Sequence, residues 1–383
     1  MNTKAKPFVL VIAGEGVGGA EKRLAEIWLH LAPRIANLRM MLRRTTFEQL
    51  LCRPDLAGLQ RYRDRVTLVD TQAASYPATM AAFAPALWRL PRGSVVHHIL
   101  QSPPLLHRLR GHKVLLSWVG TTFPSVRRKF RDWLASAWAV ADADLVDMLN
   151  PELVRSREWR PSLRRKLRLT VGGTFVDGQH FRPGAKRDEV VFMGRIERYK
   201  NALAFVEAIP AIAERLAAAG KRAAFRLYGW AGDQGDAVRR LLASPEYQAL
   251  DVQWRETNDP AAALAPAKVF VSLQSPSNYP SKALAEAMAA GCVPVISDSG
   301  ESRRMANPAL ARFVPEHFSS ADLVNAVSEL LTQDEEAFAQ LSAAVRADAL
   351  ERFRIEPQAD YFAALYEELA GRSSGKTGSG SPA

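Results

Sequence analysis

The chain has 383 residues, 48% hydrophobic and 24% charged, which suits two globular domains and excludes disordered, collagenous and membrane-spanning classes. No apolar run approaches the roughly 20 residues that cross a bilayer, and two isolated cysteines, Cys52 and Cys292, make neither a disulfide framework nor a metal-ligand spacing. The net charge of +11 is uneven, with 28 Lys and Arg against 13 Asp and Glu in residues 1–170 and 23 against 27 beyond, so the first half suits an anionic partner such as membrane lipid or a phospholipid-linked substrate; without a recognised binding motif, nucleic acid is not expected.

The first predicted strand is Phe8–Ala13. Lys4 and Lys6 before it echo a signal peptide, but the apolar run stops at Gly14 and has no cleavage site. Gly14, Gly16 and Gly19 then fall at G-x-G-x-x-G spacing, and Leu24, Ile27, Trp28 and Leu31 mark one face of a following helix, Glu21–Ala32. Strand, glycine turn and helix together are the pattern of a dinucleotide-binding turn. The next strand, Leu38–Leu42, runs into Arg43 and Arg44, where an NAD site needs an acid for the ribose and an NADP site accepts a cation. An NADP-linked oxidoreductase is therefore one reading, weakened by the anionic Glu21 beside the turn.

Further strands are expected at Val66–Val69, Val95–Ile99, Val114–Trp118 and Leu145–Leu149, alternating with amphipathic segments. That alternation predicts a largely parallel sheet covered on both faces. Between them, Ser125–Trp138 mixes Arg and Lys with Phe and Trp, a helix for either the core or an anionic membrane surface. Asp142-Ala143-Asp144 imitates an Asp-x-Asp metal motif but precedes a strand, and a structural turn is expected there. The segment Arg168–Glu189 is rich in Gly and polar residues, with a turn at Pro183-Gly184, and marks the domain boundary. The expected domains are 1–178 and 188–352, followed by a terminal helix at 356–372 and a low-complexity, disordered tail at 373–383.

The second half repeats the alternation. A strand at Val190–Arg195 leads to a helix from Asn201 ended by Gly220, then strands at Ala224–Tyr228, Val252–Trp254, Val269–Leu273 and Val293–Ser297. Before the last strand, Ser281 is a plausible N-cap and Gly291 closes the helix. Arg195 and Lys200 stand at a strand-to-helix junction, two cations suited to a diphosphate. Glu286 lies inside the Ser281 helix among Ala, Leu and Met, where an unpartnered charge is costly; a carboxylate there suits a ribose cis-diol.

Taken together, the motifs VGGAEKRLAEIWLHL, ADADLVDMLNPEL, FVDGQHFRP, GRIERYKN and YPSKALAEAMAAGCVPVISDSGESR resemble the nucleotide-sugar-dependent glycosyltransferases of family 4 over nearly the whole chain. The resemblance implies an α/β GT-B fold, two Rossmann-like doubly wound domains facing a central cleft, with the terminal helix crossing back to the first. It implies a retaining, metal-independent enzyme with no cofactor, whose donor is a UDP- or GDP-sugar and whose acceptor is lipid-linked or an oligosaccharide. Cell-surface polysaccharide or lipopolysaccharide-type biosynthesis, in the cytoplasm or peripherally on the inner membrane face, is the expected setting.

By residue, the resemblance places Gly194, Arg195 and Lys200 at the donor diphosphate and Glu286 at the ribose. Backbone around Tyr279, Pro280 and Ser281 faces the sugar and phosphate, and Gly18 and Gly19 bring the first loop close to the donor. The base lies near Tyr228, Gly229, Trp254, Arg255 and Thr257. Two positions depart from the family pattern. Asn278 stands where a Glu usually contacts the donor sugar; an amide keeps hydrogen bonding but loses the negative charge, so a changed donor preference or an altered rate is expected. Val119 stands where many members have a His; His97, His98 and His107 are spatial substitutes or core residues.

Overall fold

A computed structural model describes residues 6–100, 102–119, 138–155 and 159–371. The chain forms two compact units, one of residues 1–171 and 356–383, the other of residues 172–355. The division falls inside the Arg168–Glu189 segment. The 373–383 tail, and the Ser125–Trp138 segment except Trp138 itself, lie outside the described residues.

The first unit is built on seven parallel strands: β1 (Phe8–Ile12), β2 (Leu38–Arg43), β3 (Val66–Val69), β4 (Val95–Ile99), β5 (Lys113–Trp118), β6 (Leu145–Met148) and β7 (Leu167–Leu169), in spatial order β3-β2-β1-β4-β5-β6-β7. Valine and leucine dominate the central strands, and β1 is buried along its whole length, as a doubly covered parallel strand must be. The helix Gly19–Leu31 buries Leu24, Ile27, Trp28 and Leu31, the stripe its spacing predicts.

The helix Glu356–Leu369 completes this unit from the far end of the sequence. Its Phe362 stacks on His97 and its Tyr366 on Phe8, while Arg23 donates to Gln358 at 2.7 Å. Tyr366 hydroxyl and Ser117 hydroxyl hold the two ring nitrogens of His97 at 2.9 and 2.8 Å. Ser117, Thr170 and Tyr361 hydroxyls in turn donate to the buried carboxylate of Asp147 at 2.7, 2.6 and 2.8 Å.

The second unit has six parallel strands: β8 (Arg187–Met193), β9 (Ala224–Tyr228), β10 (Val252–Arg255), β11 (Ala267–Ser272), β12 (Val293–Asp298) and β13 (Arg312–Pro315), in order β10-β9-β8-β11-β12-β13. Strand order reverses between β8 and β11, as it does between β1 and β4 in the first unit. In open sheets of this kind ligands bind at such a switch point, outside the carboxyl ends of the strands. The helix Ala202–Ala218 packs its Phe205 against Phe192 of β8, with ring centroids 6.1 Å apart.

Elements that the sequence pattern did not place include the edge strands β7 and β13 and the helices Ser320–Thr332 and Glu335–Arg352. The first of these lies at the start of the segment read as boundary loop. Three residues, Leu167-Arg168-Leu169, are too few to display a period, and the strand exists because Val146 to Met148 offer it a parallel partner.

Candidate functional site

The C-terminal end of β8 opens into a loop that crosses the switch point. Gly194 donates its N–H to Tyr228 O at 2.8 Å, and Gly229, with φ +144°, lies so close that an added Cβ would stand 2.0 Å from Gly194 O. Only glycine permits that approach of two loop backbones. The loop continues through Arg195, whose guanidinium pairs with Glu197 at 3.0 Å and reaches Tyr199 hydroxyl at 3.4 Å.

Lys200 follows, and its ammonium donates to the Gln274 side-chain carbonyl just past β11. Tyr199 O accepts from Ser275 N at 2.9 Å, and Asn201 donates to Leu273 O at 2.7 Å, so three successive residues tie the β8 loop to the β11 loop. Burial, reinforced by Arg195 and opposed by Glu197, pushes the Lys200 ammonium down to about 8. Its hydrogen-bond partner is a neutral amide, so the charge is left for an anion.

The β11 loop then reaches Asn278, which is fully buried. Its carbonyl oxygen accepts from Ser272 hydroxyl at 2.7 Å and Gln274 N at 3.1 Å, and its amide donates to Ser297 O at 3.0 Å and Ser302 hydroxyl at 3.0 Å. The donor and acceptor capacity of the side chain is thus met by groups of the protein itself. Asn278 is a clamp that fixes the loop between Lys200's partner and the next helix. Ser297 and Ser299 hydroxyls both donate to Gln274 O, at 3.1 and 2.9 Å, and complete the clamp.

Tyr279–Pro280 is a cis peptide, as is Ser275–Pro276. Ser281 caps the helix Lys282–Ala289 by accepting from Leu284 N at 3.3 Å, as its sequence position predicts. Tyr279 is buried, its hydroxyl against Gly173, where a Cβ would stand 2.3 Å from that oxygen. Glu286 is buried in the same helix with Lys282 Nζ 3.9 Å away, the cation its burial calls for. Lys282 also donates to Phe175 O at 2.9 Å and lies over the Phe175 ring.

The expected base-binding residues are brought together at the ends of β9 and β10. Gly229 donates to Arg255 O at 3.1 Å and accepts from the Trp254 indole at 2.7 Å. Arg255 holds the Tyr228 hydroxyl at 3.0 Å, but Tyr228 itself is buried, so its ring supports the loop instead of offering a stacking face. Thr257 hydroxyl accepts from Asp259 N at 3.1 Å and shapes the turn into the next helix.

In the first unit, the glycine turn carries its own anion. Glu21 folds back so that its carboxylate accepts Gly18 N–H at 3.0 Å, and added Cβ atoms at Gly14 and Gly18 would meet that carboxylate at 2.8 and 2.9 Å. A Cβ at Gly19 would meet nothing within 4 Å. Arg43, the cation required by the NADP reading, donates to Ala13 O at 2.9 Å, Ala73 O at 2.8 Å and Thr79 hydroxyl at 2.7 Å, and is buried. Arg44 pairs with exposed Asp70 at 2.6 Å. A pyrophosphate at this turn would face Glu21, and Arg43 is tied through Nε and Nη2 to the Ala13 and Ala73 carbonyls and to Thr79.

The remaining expectations resolve locally. Asp144 accepts from Val114 N at 2.9 Å and Asp142 pairs with Arg108, so the Asp-x-Asp imitation is a structural turn. His97, and His98 with His107 at 2.8 Å, are buried core residues and do not stand in for the His missing at Val119. Among the described residues no group of three or more His, Cys, Asp or Glu is arranged to hold a metal, and no helix is long and apolar enough to cross a membrane. Sequence reasoning missed Gln274 and Ser297, Ser299 and Ser302. The three serines lie in the SDSGES run that starts at the end of β12, whose polarity reads as loop because Gln274 O, the partner of the Ser297 and Ser299 hydroxyls, is remote in sequence.

Comparison with known proteins adds a class to this geometry. Residues 187–333 match the family model described as Glycosyl transferases group 1. Anabaena HepE, solved in complex with UDP and glucose, superposes with a TM-score of 0.74 at 13% identity, over 95% of this chain and 100% of that one. Sucrose-phosphate synthase from Thermosynechococcus elongatus superposes at 0.71 and 19% identity, over 96% and 100%, and a glycosyltransferase from Rickettsia africae at 0.67 and 13%, over 97% and 100%. Among curated proteins none matches the chain. The protein has the GT-B fold of glycosyltransferases. The match to the group 1 glycosyl transferase model lies within its second unit.

Proposed function

We propose that the protein is a retaining family 4 glycosyltransferase that moves a hexose from a nucleotide diphosphate sugar to a hydroxyl of a lipid-linked or polysaccharide acceptor. The observation that carries this reading is the pair Arg195 and Lys200 at the switch point of the unit that matches the group 1 glycosyl transferase model, with the Lys200 ammonium held by a neutral amide. HepE has been solved with UDP and with UDP-glucose, which favours a uridine nucleotide over the GDP alternative.

In this reading the second unit takes the donor and the first unit the acceptor. The bond from the anomeric carbon to the β-phosphate oxygen breaks, and the acceptor oxygen bonds to the same face of that carbon. The acceptor proton passes to the departing phosphate. Negative charge grows on that phosphate, and Lys200 and Arg195 offset it in place of a metal, the kind of electrostatic term that dominates many transfer reactions. Glu286 accepts from the ribose hydroxyls while Lys282 balances its charge. The setting is cell-surface polysaccharide or lipopolysaccharide-type synthesis at the cytoplasmic face of the membrane.

Isothermal titration with UDP, GDP and NADP tests the reading. A nucleotide diphosphate is expected to bind and NADP is not; binding of NADP alone overturns it. Donor hydrolysis across a panel of UDP- and GDP-sugars then tests turnover. Nucleotide binding with neither transfer nor hydrolysis would make the protein a nucleotide-sugar-binding relative, not an enzyme.

A further inference from the structure

We propose that the second unit carries a docking groove for a protein partner, and that its occupant is a cationic amphipathic helix with basic residues at i and i+7. The inference goes beyond the transferase reading and does not depend on it. The groove, of about 730 Å³, runs along the outer side of the helix Ala202–Ala218, between it and the short helices Gly235–Leu242 and Pro245–Gln248. The opposite side of the long helix, with Phe205, Ile209, Ile212 and Leu216, is buried in the core. On the groove side Glu207, Pro210, Ala211 and Glu214 stand at i, i+3, i+4 and i+7, one stripe with a carboxylate at each end. The small side chains between the carboxylates leave room for a second helix to come close.

A proline fixes the other wall. Pro210 has no N–H, so Val206 O, one turn earlier, lacks its helical donor. The buried Tyr247 donates its hydroxyl to that oxygen at 2.9 Å and so pins the Pro245–Gln248 helix beside the long one. Half-buried Leu241 and Leu250 complete an apolar floor. Burial, with Glu246 and Glu207 beside it, pushes the Tyr247 phenol up to about 12, so carboxylates from both walls lie near one ring.

Charge selects the occupant. Glu207, Glu214 and Glu246 line the groove and are exposed; among the described residues none of them pairs with a cation, and no Lys or Arg lines the groove. Three carboxylates repel nucleic acid, anionic lipid and acidic peptides, and a wholly apolar partner would bury them without a counter-charge. A metal ion has no use for the apolar floor. A helix with Lys or Arg at i and i+7 and Leu at i+3 and i+4 mirrors the stripe. Its cations stand about 10 Å apart along the axis, as any pair at i and i+7 does, and so match Glu207 and Glu214. Its leucines meet Pro210, Ala211 and the floor, and the cationic stems cover apolar surface while their heads reach the rim.

Fluorescence anisotropy of labelled synthetic peptides with the full-length protein tests the proposal. One peptide of about 15 residues, long enough to form a helix, carries that Lys and Leu pattern, and a second has the same composition in scrambled order. The patterned peptide is expected to bind at least tenfold more tightly than the scrambled one. Glu207→Lys with Glu214→Lys, and separately Ala211→Trp, which fills the groove without changing its charge, are each expected to weaken the patterned peptide by about tenfold. The substituted side chains are exposed, so thermal melting is expected to stay as in the native protein, which separates lost docking from lost folding. Hydrogen exchange is expected to show the bound peptide protecting residues 241–250. Failure of the patterned peptide to bind overturns the proposal, as does equal binding of the scrambled one. Full binding by both variants overturns this groove as the site. Self-association of the native protein in sedimentation, abolished by Glu207→Lys with Glu214→Lys, overturns it in favour of a second copy as the occupant.

Discussion

Lys200 and Asn278 are joined through Gln274 but answer to different physical demands. Lys200 must keep its charge available, so a neutral amide holds it. Lys200→Ala is expected to weaken nucleotide diphosphate binding at least tenfold, the scale of a lost charge-assisted hydrogen bond, without unfolding the protein; titration calorimetry beside a thermal melt checks both halves. With its ammonium near 8, nucleotide affinity in the native protein is expected to fall as pH rises through that region, because the neutral amine attracts no phosphate. Gln274→Glu would pair the ammonium, so the fall should move to higher pH while affinity drops; an unmoved pH profile would mean that Gln274 does not tune Lys200. Asn278→Ala, by contrast, orphans several buried groups at once. It is expected to cost about 2–4 kcal/mol of stability by urea unfolding, and near-native stability with altered donor choice would contradict the clamp and favour a sugar contact. The sequence made Arg195, Lys200 and Glu286 visible because cations at a strand end and a carboxylate in an apolar helix are unusual. It could not reveal Asn278's role, since its partners Ser272, Gln274, Ser297 and Ser302 come together only in the folded unit.

Among elements, the central strands were legible because burial on both faces leaves nearly unbroken Val and Leu runs, as in Val9-Leu10-Val11 and Val269-Phe270-Val271. Helix ends were legible where chemistry marks them, as at Ser281 and at Gly291, whose φ is +76°. The edge strands β7 and β13 were not, because Leu167-Arg168-Leu169 and Arg312–Pro315 are marked by arginine and proline, whereas the equally short edge strand β3 reads Val-Thr-Leu-Val. The Glu335–Arg352 helix hid for another reason: its buried positions are Phe338, Ser342, Val345 and Ala349, a stripe half made of small or polar residues. The two glycine loops separate need from resemblance. Gly229→Ala would drive a Cβ into Gly194 O and is expected to lose both stability and nucleotide binding, whereas Gly19→Ala, at the start of a helix with open space around it, should stay within about 0.5 kcal/mol of native stability. Equal tolerance of the two substitutions in a denaturation assay would contradict this ordering.

Across the whole molecule, acid sensitivity should be unequal. Burial pushes His97 and His107 in the first unit down to about 3, and His98 is lowered as well. Their unfolded forms take up protons near 6.5. A lowered folded value means that the unfolded state binds more protons between those limits, so the first unit loses stability as pH falls from about 6.5 toward 3. Hydrogen exchange of the intact protein, read peptide by peptide, should show protection fading in residues 8–118 before residues 190–330 as the pH is lowered; simultaneous loss would contradict the assignment. The terminal helix bears on the same unit in another way. Phe362, Tyr361 and Tyr366 finish the surroundings of His97 and Asp147, yet they are made only after all of the second unit. On the ribosome, the first 171 residues emerge with His97 still lacking the Tyr366 hydroxyl and Asp147 the Tyr361 hydroxyl, while residues 172–355 have their own core complete. Synthesis and maturation would then run in opposite orders: the unit translated second is able to close first, and the unit translated first waits for residues 356–369.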